Sequence, residues 1–437
     1  MPSAKAFHDH LLESQYWTRE QMLAEQRKYL RQLLIHARAQ VPYYSGRFDR
    51  LFDKNGQVDW TLWNEIPILT RPEALAHNDD LLSRMLPRHQ GGVSESFTSG
   101  STGPALRVVD SELSKRYLSA AIHRAHGWHR MDYSRDMLLW FGEDPEVGQP
   151  PDGDVKSNWG PPWDARSTGR RIVLNRYAGT ADVLKLLADE HVGYFSARPS
   201  AAHAVALRAL DQKIAVSLDG IFTFNTGVRA DEREDFARAF GARAIVPYSA
   251  KEGHFIAMQC PTGTHFHINE ELVFVEIVDE QGRACAEGEK GRVLVTLLFN
   301  FALPLIRYEL GDLATFGPPC SCGRTLRVID RIDGRVTHMF RMPDGTRMSL
   351  SLVIDLQRDF GARYWQIAQI GPTLIEVRYV PLGAPAGAQN EAALADIIRQ
   401  KTHPDMQVQF SPREDLSRPD GRKFIEYVYE VQDHGAT

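Results

Sequence analysis

The sequence holds no apolar run approaching the roughly 20 residues that would span a bilayer, which excludes a membrane helix. Cysteine is scarce, four in 437 residues, so no disulfide framework organises the chain and a reducing, cytoplasmic setting is expected. The N-terminal "MPSAKAFHDHLLESQYW" lacks a basic segment followed by an apolar core, so nothing points to export. No sign of charge dominates either. A formal net charge of −5 is small for this length and spread along the chain, which argues against nucleic acid or an anionic membrane as main partner. The glycine-rich stretch "TSGSTG" (Thr98–Gly103) ends neither in the Gly-Lys-Ser/Thr of a P-loop nor in the G-x-G-x-x-G of a dinucleotide fold. Internal repeats and low-complexity tracts are lacking as well.

What remains is a globular composition, 43% hydrophobic and 24% charged, long enough for two or more domains. The first hundred residues read as helical, with Met22, Leu23, Leu30, Leu33 and Leu34 at helical spacing before a stop at Pro42. From Asp110 to about Leu210, helical patterns alternate with short apolar runs. Examples are the helix "SELSKRYLSAAIHRAHGW", the strand "MLLWFG" and the helix "TADVLKLLADEHV" behind a Thr180 cap. "GIFTFNTG", "DEREDFARAFG" and "ARAIVPYS" read as strand, helix, strand, which implies a parallel sheet. Residues 271–298 predict a β-hairpin, and the last hundred residues a compact α+β module beginning near 334–339.

The loop "ESFTSGSTGPALRV" is almost all backbone amide and hydroxyl before it turns apolar. Alone it would serve equally as a solvated connector. Downstream follow "PYSAKEG" (247–253), "PLIRYELGDLATF" (304–316), "RIDGRVTHMF" (331–340) and "RPDGRKFIEY" (418–427). In this order the motifs resemble the adenylate-forming superfamily, and more closely its phenylacetate-CoA ligase branch with the capsule-biosynthesis-associated relatives. "NEIPILTR" (64–71), "NFALPLIRYELGD" and "CSCGRTL" match that branch further, and the resemblance covers roughly residues 30–430.

The resemblance implies an α/β fold: a large adenylation domain (1–335) of mixed sheets and helices, and a small mobile α+β domain (336–437) carrying the catalytic lysine. It implies ATP-dependent adenylation of a carboxylic acid, then acyl transfer to CoA. Thr98, Ser99, Gly100, Ser101, Thr102 and Gly103 would line the β- and γ-phosphates, with glycine letting the backbone come close. Glu252 would hold Mg²⁺, a hard cation that wants carboxylate oxygen near phosphates. Tyr248 and Ser249 would flank adenine, Asp312 would accept from the ribose hydroxyls, and Arg335 would lie beside the ribose. Lys423 would contact carboxylate and α-phosphate during adenylation and leave when the small domain rotates. Arg107 keeps a positive charge where many relatives carry lysine. The acyl pocket is expected among Trp128, Trp140, Phe141, Phe222, Phe224 and Gly227, an aromatic wall that suits an aryl or arylalkyl acid.

Cys260, Cys320 and Cys322 lie in separate segments, with His265 and His267 close behind the first. Three thiols and an imidazole suit a closed structural zinc site, and three merely buried thiols are the alternative. Relatives carry a histidine in "HIN" or "HVN", which matches His267. Cys285 is expected to stand apart. His123, His126 and His129 recur three apart on one helix and read as a satisfied surface face.

Some positions depart from the family pattern: Ser249 for glycine, Lys251 for a hydroxyl residue, Val228 for glutamate, and Thr337 and His338 for an Asp-Asp pair. They keep two further readings open: an acceptor other than CoA (an amine, a carrier protein or a sugar), or a zinc-stabilised homologue without turnover. The expected partners are a small carboxylic acid and CoA or another acceptor, and a homodimer is compatible with the sequence.

Overall fold

The computed structural model describes residues 3–98, 105–142, 147–150, 152–164, 166, 168–175, 178–190, 192–224, 227–335, 340–348, 350, 352, 356–416 and 427–431. Helix α1 (Ala4–Ser14) starts at Ser3, whose hydroxyl accepts from the Ala6 amide. Thr18 and Gln21 form a reciprocal capping box for α2 (Arg19–Gln40), which stops before Pro42 as its periodicity predicts. Helix α3 (Arg71–Ala76) is capped by Thr70 with Pro72 in its first turn. On either side of the glycine-rich stretch, β1 (Val93–Phe97) and β2 (Arg107–Ser111) pair as an antiparallel hairpin. Ser111 ends β2 and caps α4 (Glu112–Trp128) through a bond from the Ser114 amide.

The first sheet contains β3 (Met137–Gly142), β4 (Asp154–Ser157) and β5 (Arg170–Asn175), followed by α5 (Thr180–Asp189) and β6 (Tyr194–Ala197). It continues through α6 (Pro199–Gln212), β7 (Gly220–Thr223), α7 (Ala230–Phe240) and β8 (Ala244–Ile245), with strand order β4-β5-β3-β6-β7-β8. All its pairs are parallel except the edge pair β4–β5. Every residue of β6 is buried, as expected of a parallel strand covered on both faces. Thr180 is the first helical residue of α5 and not its cap. Gly179 takes the cap position because its amide donates to the Asp182 carboxylate at 3.2 Å.

The second sheet is antiparallel: β9 (Pro247–Ala250), β10 (His254–Gln259), β11 (Phe266–Ile268), β12 (Val273–Val278), β13 (Lys290–Leu297), β14 (Tyr308–Gly317) and β15 (Val328–Arg335). Its order is β12-β13-β14-β15-β11-β10-β9, and β12 and β13 form the hairpin predicted for 271–298. Arg124 of α4 is fully buried. It donates to Glu271 Oε1 at 2.6 Å, Asn269 Oδ1 at 2.7 Å and the Leu11 carbonyl at 3.2 Å, which ties α1 and α4 to this sheet.

Beyond it, β16 (Phe340–Arg341) pairs with β17 (Arg347–Met348), and α8 (Leu356–Asp359) leads into β18 (Ala362–Gly371) and β19 (Leu374–Pro381). Then come α9 (Ala388–Lys401), β20 (Gln407–Pro412) and β21 (Tyr427–Tyr429), in a sheet of order β20-β19-β18-β21. Phe340, Phe360, Ile367, Val377, Tyr379 and Ile398 belong to a buried cluster distinct from the large core of the preceding segments. Among the described residues, no helix is long and apolar enough to cross a membrane.

Candidate active site and metal cluster

The segment "NEIPILTR" reaches its place through a buried arginine of a distant motif. Arg307 donates from Nη1 to the Ile66 carbonyl at 2.6 Å and to the Asn64 carbonyl at 3.0 Å, and its charge is balanced by Glu276. The Leu69 amide donates to the Arg307 carbonyl and the Glu309 amide to the Leu69 carbonyl, so the segment lies as a short added strand beside Tyr308. Arg307 has φ +50°, a conformation costly for a non-glycine residue and held here by those bonds. Two residues beyond Leu69, Arg71 is thereby delivered to the site.

Arg71 joins three segments. Its Nη1 donates to Glu252 Oε1 at 2.8 Å and its Nη2 to Thr98 Oγ1 at 2.9 Å. The Tyr308 hydroxyl lies 3.4 Å from the same Glu252 oxygen. Thr98 opens the glycine-rich loop, and its side chain also accepts from the Leu106 amide at 2.9 Å, closing the loop's base. Glu252 is only 3% exposed, so its carboxylate needs a cationic partner. The hairpin itself is docked by Asp110, which meets His254 Nε2 at 2.6 Å and accepts from Asn300 at 3.1 Å.

In the same sheet the Tyr248 hydroxyl of β9 donates to Asp312 Oδ2 of β14 at 2.8 Å, both side chains being buried. Gly311 before Asp312 has φ +82°, which is why the motif is "LGD". Arg335 stands opposite Asp312 in the β14–β15 register. Ser249 and Lys251 are exposed. Arg107 pairs with Asp79, and Glu95 lies 3.8 Å away. Ser99, Gly100, Ser101, Thr102, Gly103, Thr337, His338 and Lys423 lie outside the described residues.

The aromatic candidates separate. Trp128 is buried, donates from its indole to Gln15 Oε1 at 2.7 Å, and packs edge-on against His267. Trp140 is buried and donates to the Asn175 carbonyl at 3.0 Å. Phe224 and Gly227 follow β7, and Phe141 is the penultimate residue of β3, so these three stand at the carboxyl ends of parallel strands. The histidine face of α4 is satisfied, as expected, but it is half-buried and not at the open surface. His123 Nδ1 and His126 Nδ1 lie 2.8 and 3.0 Å from the Tyr133 hydroxyl, and burial lowers their pKa values to about 4 and about 3. The pattern of three histidines at helical spacing was visible in the sequence, but the loop that covers it was not.

The cysteines converge as the β14–β15 turn meets β10 and β11. Ligand atoms of Cys260, His267, Cys320 and Cys322 all lie within 4.8 Å of one another. Cys260 and Cys320 sulfurs are 3.7 Å apart, and Cys322 Sγ is 3.3 Å from His267 Nε2. A zinc tetrahedron with Zn–S near ~2.3 Å has S···S edges of roughly 3.8 Å and S···N edges of roughly 3.6 Å, so the four fit such an ion. His267 Nδ1 faces the Leu326 carbonyl at 3.4 Å, which leaves Nε2 to the thiols. His265 Nε2 lies 3.0 Å from Cys320 Sγ but outside that set of four, and Cys285 is elsewhere, by the Lys290 carbonyl. Burial lowers the His267 pKa to about 4 and raises that of the Cys320 thiol.

No family model matches the chain. The phenylacetate-coenzyme A ligase of Escherichia coli (strain K12) is 38% identical over 111 residues, 24% of this chain and 25% of that protein. The match thus spans about a quarter of that relative's length. Among solved structures, 2-hydroxyisobutyryl-CoA ligase in the postadenylation state with R3-HIB-AMP aligns with a TM-score of 0.66 at 16% identity, covering 96% of this chain and 93% of that one. The same ligase with 2-HIB-AMP and CoA in the thioesterification state aligns with a TM-score of 0.61 at 17% identity and the same coverage. The chain therefore has the α/β fold of the acyl-CoA ligases, as its motif order implied.

Proposed function

We propose that this chain, built on the acyl-CoA ligase fold, activates a carboxylic acid with ATP and passes the acyl group to CoA. The observation that carries the reading is the hydrogen-bonded set of Arg71, Thr98, Glu252 and Tyr308, assembled from four separated segments around the base of the glycine-rich loop. In the first step a carboxylate oxygen bonds to the α-phosphorus of ATP and the bond to pyrophosphate breaks. In the second the CoA sulfur bonds to the acyl carbon, AMP leaves, and the thiol proton goes to solvent. The chemistry is chiefly positioning and charge stabilisation.

Asp312, oriented by Tyr248, accepts from the ribose hydroxyls, and Arg335 is the basic residue assigned to the ribose. Residues 98–103 hold the phosphates. Glu252 is the residue to hold Mg²⁺, which when bound offsets charge on the triphosphate. The unit from 336 to 437 carries Lys423 to the carboxylate and α-phosphate and withdraws it before thioester formation, a division of labour that domain movement permits. The acid is of the aryl or arylalkyl class, as in the partial relative's name. Phe141, Phe224 and Gly227 stand where open α/β sheets bind ligands. Cys260, His267, Cys320 and Cys322 hold a structural zinc ion.

The test is incubation with ATP, Mg²⁺, CoA and separate aryl, arylalkyl and fatty acids, with AMP and thioester read by mass spectrometry. AMP and acyl-CoA from one acid class support the reading. AMP without thioester removes CoA as the acceptor, and no AMP from any acid contradicts the ligase itself.

A further inference from the structure

Arg71 belongs to none of the motifs that bind nucleotide in the proposal above, yet its guanidinium spans the two that matter most. It bonds the first hydroxyl of the phosphate loop and the carboxylate proposed to hold the divalent cation. Its side chain is 23% exposed, whereas that of Glu252 is 4% exposed. The arginine can therefore be reached from solvent, while the carboxylate lies behind it.

Charge decides what this arrangement does. With Arg71 on Glu252 the pair is neutral, and a buried carboxylate is satisfied. A dication arriving alone at Glu252 would leave two positive centres beside each other in a partly desolvated site, which is costly. A dication arriving with a triphosphate brings the anions that both positive centres need. We infer that Arg71 is a phosphate-binding residue held in reserve: Glu252 exchanges it for the cation that accompanies ATP, and the released guanidinium turns to the phosphates. A guanidinium suits that second role because its planar fork matches phosphate oxygens. The inference rests on the assignment of Glu252 and the loop to Mg·ATP, and adds that cation and nucleotide bind as a unit, with free cation excluded.

The test uses the full chain and its Arg71→Gln and Arg71→Lys variants, with Mn²⁺ alone as the cation probe. Free Mn²⁺ is followed by electron paramagnetic resonance without nucleotide, and Mg·ATP by titration calorimetry. Arg71→Gln, which removes the charge and shortens the side chain while keeping a neutral hydrogen-bond donor, is expected to bind Mn²⁺ about tenfold more tightly and Mg·ATP about tenfold or more weakly, the size of one charge-assisted bond. Arg71→Lys should restore most of both wild-type values. Arg71→Gln with unchanged Mn²⁺ affinity, or with unchanged Mg·ATP affinity, overturns the inference and leaves Arg71 a structural ion pair. Wild-type protein that binds no Mg·ATP overturns both the inference and the ligase reading beneath it, so the two failures are told apart.

Discussion

Tyr248 and Asp312 are 64 positions apart in the chain and meet through one hydrogen bond of 2.8 Å, on strands at opposite sides of the β15–β11–β10 group. The bond fixes one carboxylate oxygen of Asp312. Asp312→Ala is expected to weaken ATP binding about tenfold or more, since it removes a charged acceptor. Tyr248→Phe, which removes only the orienting bond, should weaken it about threefold to tenfold. Calorimetric titration with ATP checks both, and an unchanged affinity in Asp312→Ala would remove it from the ribose site.

The cysteine cluster makes a separate prediction. Purified protein should contain one zinc ion per chain by elemental analysis, and Cys322→Ser should lose it. Chelation should lower Tm by about 5 °C or more, since ~1 kcal/mol moves Tm by roughly 2–4 °C in domains of this kind. Metal-free protein of unchanged Tm would mean that the thiols are merely packed.

Arg124 and Glu271 are both shut off from solvent, so removing one strands the other's charge. Arg124→Met should cost about 3–5 kcal/mol in urea unfolding. Arg124→Met combined with Glu271→Gln should cost less than the two single changes summed, because the stranded charge is then gone.

His123 and His126 are held neutral by burial, with pKa values near 4 and 3 against an ordinary 6.5. Between these limits the unfolded chain binds more protons than the folded one. Their contribution is therefore complete above pH 6.5 and lost as pH falls toward 4. From pH 7 to 5.5 unfolding free energy should drop by about 2–3 kcal/mol more in the wild type than in a His123→Phe/His126→Phe variant. Urea unfolding at the two pH values checks this, and equal drops would contradict it.

Much of the local structure could be read from the chain because its signals are local. Helix α4 shows its apolar spacing, and the β7-α7-β8 unit shows strand, helix and strand in turn. The cysteines were legible as a set because thiols are few. Arg71, Arg307 and Arg124 were not, because each acts on partners remote in sequence: Arg71 reaches 181 positions to Glu252, and Arg124 reaches 147 to Glu271. An arginine in a polar segment looks the same whether it faces water or a buried carboxylate. The α4 histidines misled on exposure alone, for the same reason, since Tyr133 and the segment after it cover a face that spacing alone shows as polar.

Activation of a carboxylate by ATP is tested most directly by isotope exchange between pyrophosphate and ATP, without CoA, over aryl, arylalkyl and fatty acids. Exchange that requires both Mg²⁺ and an aryl or arylalkyl acid, and that vanishes in Lys423→Ala, is the expected result. A folded protein that binds ATP but exchanges no label with any of the acids would contradict adenylation as the work of this site.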